Sequence, residues 1–111
     1  MLNKITGHAE VDICGAKYTI RFDWGCLAEI SERFGEGPNM FNPDILAKIA
    51  AIGMKKYHPD MTADKIKEFS PPLVKFAKEV QEALHWAYFG PESIEQQEEK
   101  KIQQKLDSGG V

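Results

Sequence analysis

Cysteine is scarce in this chain. Cys14 and Cys26 are the two present, they are not spaced as CxxC, and no histidine stands at ligand spacing from either. That excludes a disulfide framework and a motif-encoded zinc site, and leaves two unpaired, half-buried thiols. Long apolar runs are missing as well. Nothing approaches the ~20 consecutive apolar residues of a membrane-spanning helix, and the opening MLNKITGHAEV lacks the apolar stretch of a secretion signal, so a cytoplasmic protein is expected. Positive charge is not in excess either. Lysine and arginine number 14 against 17 aspartates and glutamates, a net charge of -3, and the lysines are scattered among acids, which argues against nucleic acid as a partner.

Catalytic patterns are also wanting. The sequence has no glycine-rich phosphate loop, no nucleophile elbow and no HExxH, and its three histidines, His8, His58 and His85, fall on different elements. No catalytic residue, metal site or cofactor is assigned. A metal site joining the histidines to Asp12 or Glu82 is disfavoured against solvated surface histidines. Glu29 with Glu32, and Glu98 with Glu99, have lysine or arginine close by and read as solubilising charge on helix faces.

What is there begins with alternation. Ile5, Ala9, Val11 and Ile13 alternate with Thr6, His8, Glu10 and Asp12, and Tyr18, Ile20 and Phe22 alternate with Thr19 and Arg21, giving a β-hairpin over residues 5 to 22 with one buried face. Gly15 and Ala16 are expected to form a two-residue type II′ turn, which sets Ile13 opposite Tyr18 and Val11 opposite Ile20. A lone ribbon is marginal in water, so the following helix, residues 24 to 34, is expected to cover it. Asp23 caps that helix, Trp24, Leu27, Ile30, Ser31 and Phe34 form its stripe with Trp24 as anchor against the ribbon, and Gly35 ends it.

Three further helices follow. Asn42 and Pro43 open one over about 43 to 57, with Ile45, Leu46, Ile49, Ile52 and Gly53 inward and Met54 on the flank. Thr62 caps a short segment over 63 to 69. Ser70 with Pro71 and Pro72 opens the longest helix, 71 to 89, which Gly90 and Pro91 terminate. Its main face is Leu73, Phe76, Ala77, Val80, Ala83, Leu84 and Ala87, whereas Val74, Trp86 and Phe89 stand on a second face. Residues 1 to 91 thus read as a single α+β domain, a hairpin on a small bundle of three to four helices. Residues 92 to 111 read as a charged tail, helical or disordered, whose Ile94, Ile102 and Leu106 lie close to one line if it is helical.

The order of elements and their junction residues resembles the phage tail assembly chaperone family, in particular the group found in gene transfer agents and siphophage-like prophages. The likeness rests on Gly7, Gly15, the step Ile20-Arg21-Phe22, a GxLxxIExxxG-like helix read as Gly25, Leu27, Ile30 and Gly35, the Thr62 segment, and Tyr88-Phe89-Gly90-Pro91. The glutamate of that helix pattern is displaced here, with Glu29 and Glu32 near Ser31. The resemblance implies a non-catalytic protein that binds the tape measure protein during tail assembly in the host cytoplasm and is absent from the mature particle. On that reading Val74, Trp86 and Phe89, with Met54, contact the tape measure protein or another copy, and the hairpin edge or last helix offers self-association. The competing account tucks Trp86 and Phe89 under the ribbon or tail. The alternative function is a structural tail-completion or connector subunit of the virion, and a small hydrolase or metal enzyme would require a convergent polar pocket.

Overall fold

β1 (Ala9–Ile13) and β2 (Ala16–Ile20) pair antiparallel, and α1 (Trp24–Phe34), α2 (Pro43–Met54), α3 (Ala63–Phe69) and α4 (Leu73–Phe89) follow in a computed structural model that describes residues 2 to 90. The fold is α+β, a hairpin followed by four helices, as its patterning predicts. The charged tail over 92 to 111 lies outside the described residues.

The hairpin turn differs from expectation by a two-residue slip. Ile13 faces Ala16, Val11 faces Tyr18 and Ala9 faces Ile20, so the loop is Cys14-Gly15. Both loop residues have positive φ, 54° and 85°, which is type I′ geometry in place of the type II′ turn expected at Gly15 and Ala16; both primed turns match the strand twist. Asp12 favours this choice, because its Oδ1 accepts the Gly15 N–H at 2.9 Å. An even slip leaves every side chain on its original face, so Val11, Ile13 and Ile20 still point into the core.

The first strand is also shorter than the alternation suggests. Ile5 is solvent-exposed, because residues 3 to 8 turn back on themselves: the Asn3 N–H donates to the His8 carbonyl, the Gly7 N–H to the Asn3 carbonyl, and Asn3 Oδ1 accepts from Ile5 and Thr6. Gly7, at φ 80°, takes the left-handed conformation that lets this loop close.

The element that covers the ribbon is not α1. β1 packs on α4 and β2 on α2, while α1 lies against α2. The physical reason lies in α2, which buries Leu46, Ala47, Ile49, Ala50, Ile52, Gly53 and Met54 and is therefore apolar nearly all round, the mark of a central helix. It outcompetes α1, whose only fully buried residue is Ile30. Gly53 allows β2 to come close: a Cβ there would strike the Phe22 ring and Ile20, and the Arg21 N–H donates to the Gly53 carbonyl at 3.0 Å. Burial of Val11, Ile13, Ile20 and Phe22 contributes roughly 1.5–3 kcal/mol each.

Helix ends follow local chemistry, with two corrections. Asp23, Asn42 and Thr62 accept N–H groups of the first turns as caps. α2 stops at Met54 instead of residue 57, because the Tyr57 and His58 N–H groups both turn back to the Met54 carbonyl. α4 starts at Leu73 instead of residue 71. Pro71 precedes a proline and is pushed out of the α region, so the helix begins only after Pro72. Ser70 closes α3 in a left-handed conformation and does not cap α4.

Each strand edge is stopped by a side chain. The Asp12 N–H, pointing outward from β1, donates to Glu79 Oε2 at 3.2 Å, and the Thr19 N–H, pointing outward from β2, donates to His58 Nε2 at 2.9 Å. The hairpin edge named for self-association therefore carries a plug on either side.

Candidate functional site

α1 reaches the core through Ile30 and, in part, through Cys26, Leu27 and Phe34, so its outer flank is left standing away from it. The C-terminal half of α4 rises on the other side. Between them, floored by Ile30 and Met40 and walled by Trp24, Leu27, Leu84, Tyr88 and Phe89, runs an open groove of about 760 Å³. Its lining is mostly apolar, with Glu36 at the rim. Trp24 is 86% exposed, Phe89 66% and Tyr88 54%, so three large rings face solvent around one depression. Isolated exposed aromatics are ordinary, but three gathered around one depression are not.

The start of α1, which carries Trp24, is fixed from behind, and the rings at the end of α4 lie against one another. Trp24 follows Asp23, whose Oδ1 accepts the Cys26 N–H at 2.9 Å and whose other oxygen binds the Lys56 ammonium. Lys56 first, and the Cys26 N–H second, hold the Asp23 carboxyl well below the usual carboxylate range. Phe89 is tilted against His85 with ring centroids 4.7 Å apart, and Tyr88 stands 6.2 Å from Phe89. Beneath α1, the Cys26 thiol points at the Ile52 carbonyl at 3.6 Å, and burial pushes its pKa up. A thiol in that state packs and does not attack.

The four residues expected at a partner surface do not lie together. Phe89 is in the groove. Val74 is exposed at the far end of α4, about 22 Å away along the helix axis, next to exposed Leu73. Met54 is fully buried in α2, since that helix has no solvent flank at its C-terminal end, and offers nothing to a partner. Trp86 is half-buried: its indole N–H donates to the Lys4 carbonyl at 2.6 Å, and the Gly7 backbone lies so close to the ring that a Cβ there would overlap it. The N-terminal loop is a clasp on Trp86.

No known protein family, curated protein or solved structure matches this chain. The groove's own geometry is therefore what bears on its use.

Trp24 was expected to anchor α1 against the ribbon, and instead it is the most exposed ring of the groove. Tyr88 and Met40 are further members of the groove that periodicity did not single out. The signal that bears on them is the apolar girth of α2, which leaves no ribbon surface for α1 and so turns the Trp24 side outward. The histidines, expected to be solvated, are mostly structural: besides the His58 plug, His8 Nε2 meets the Tyr57 hydroxyl at 2.7 Å. Among the described residues no three His, Cys, Asp or Glu side chains converge as a metal site, and no helix is long and apolar enough to cross a membrane.

Proposed function

We propose that this chain is a tail assembly chaperone that takes up the tape measure protein through the groove between α1 and α4, acting in the host cytoplasm without catalysis. The observation that carries the reading is the ring of Trp24, Tyr88 and Phe89 around an open apolar depression. An amphipathic helix laid in such a groove buries its apolar stripe against those rings, the helix-in-groove mode of recognition. Aromatic anchors of this kind dominate binding energy in interfaces. A long helical partner offers the same stripe repeatedly, so many modest contacts add along it. Acidic surface around the groove, including Glu32 and Glu36, keeps the loaded complex soluble.

The test is capture of the tape measure protein encoded with this chain. Trp24→Ser with Phe89→Ser should weaken co-purification at least about tenfold, since each truncated aromatic anchor typically costs 1–2 kcal/mol or more. Undiminished capture by the folded double variant overturns the groove as the binding surface. Stoichiometric recovery of the chain in purified particles overturns the chaperone role in favour of a structural subunit.

A further inference from the structure

We propose that the helix received by the groove carries lysine or arginine along the flank of its apolar stripe that faces α1, so that the surface selects basic amphipathic helices over acidic ones. This inference rests on the groove being a helix-docking surface and adds the chemistry of the occupant.

Helical spacing sets the charge of the α1 wall. Trp24, Leu27, Ala28 and Ser31 line the groove, and at 100° per residue they fall within an arc of about 100°. Glu32 follows Ala28 by four residues and so stands on the groove's own flank. Glu29 and Arg33 fall on the opposite face of α1 and pair with each other at 3.2 Å. Glu36 lines the groove just past the end of α1. Glu32 and Glu36 are exposed, and among the described residues neither has an ion-pair partner.

Nothing basic balances them. Among the described residues no lysine or arginine lines the groove. At the start of α1 Asp23 holds Lys56, and on α4 Lys78 and Glu82 stand one turn apart with opposite sign, so those charges offset one another. The backbone adds to the acidity. Both walls end at the groove, α1 at Phe34 and α4 at Phe89, and a helix C-terminus carries partial negative charge. The last turn of α4 has no base, and Arg33 in the last turn of α1 is already engaged. The faces of Trp24, Tyr88 and Phe89, all exposed, attract cations in turn. A helix whose stripe lies on those rings brings the residues beside the stripe over Glu32 and Glu36. Lysine or arginine there finds two carboxylates, whereas glutamate finds like charge and no counter-ion. The rings select for an apolar stripe, and the rim selects for the sign of its border.

The experiment uses the full chain and two capped synthetic helical peptides of about 18 residues, identical in a leucine stripe at i, i+3, i+4 and i+7 spacing. One has lysine beside the stripe and the other glutamate. Affinity is read from the anisotropy of a dye on the peptide. The lysine peptide should bind on the order of tenfold more tightly in low salt, and concentrated salt should narrow the gap. Glu32→Lys with Glu36→Lys, both at exposed positions, should abolish or reverse the preference. Trp24→Ser should weaken the lysine peptide at least about fivefold, which locates it in the groove. Equal affinity of the two peptides, each still dependent on Trp24, overturns this inference and leaves the groove as a docking surface. A preference for lysine that survives the charge reversal also overturns it, because the attraction then comes from elsewhere on the chain. Failure of both peptides to bind, or binding indifferent to Trp24→Ser, overturns the docking surface and this inference together.

Discussion

At the level of single residues, two positions carry measurable local chemistry. Cys14 sits at φ 54° in a type I′ turn whose preferred sequence is Asn-Gly. Cys14→Asn should therefore stabilise the fold by about 0.5 kcal/mol, visible as a higher urea midpoint, with the loss of the thiol's 3.2 Å contact to the Phe69 carbonyl as the opposing term. Asp23 does two jobs, capping α1 and pairing with Lys56. Its carboxyl is held low in the folded chain, so the unfolded chain binds a proton at a higher pH than the folded one does. The stabilisation is then complete above about pH 4 and drains away as acid is added below it. Asp23→Ala should cost about 1 kcal/mol at neutral pH through the lost cap, whereas Asp23→Asn keeps an acceptor and should cost less. Urea unfolding at stepped pH checks the sign: the gap between the native chain and Asp23→Asn should close as pH falls from 4 toward 2.

Among the elements, the decisive relation is the close approach of α2 to β2. Gly53→Ala places a methyl against the Phe22 ring and Ile20 in a region already close-packed, and overpacking of that kind should cost about 1–3 kcal/mol in thermal or denaturant unfolding. The same relation explains what could be read from the chain beforehand. Caps at Asp23, Asn42 and Thr62 and the inward faces of both strands depend on residues within a few positions, and periodicity and turn chemistry exposed them. Which helix covers the ribbon depends on a contest between α1 and α2 that no local window contains. Met54 and Trp24 exchanged their expected surroundings for that one reason: the first is enclosed because α2 is central, and the second faces solvent because α1 is peripheral. Trp86 was obscured differently, since its clasp comes from Lys4 and Gly7 at the other end of the chain.

On the scale of the whole molecule, the packed core and the exposed rings occupy separate surfaces. The core lies between the hairpin, α2 and α4, while Trp24 and Phe89 stand outside it. Substituting serine at both exposed rings should shift folding stability by no more than about 0.5 kcal/mol each, read as an almost unchanged melting temperature, even as binding of an apolar dye to the groove falls. Phe89 was legible as surplus apolar surface, but the groove as a whole was not, because its walls come from opposite ends of the described chain and meet only after folding. The side chains of Glu79 and His58 have a consequence for the ribbon as a template. One outward rung on each flank of the ribbon is already occupied, so a third strand could not zip onto either side without first displacing a side chain.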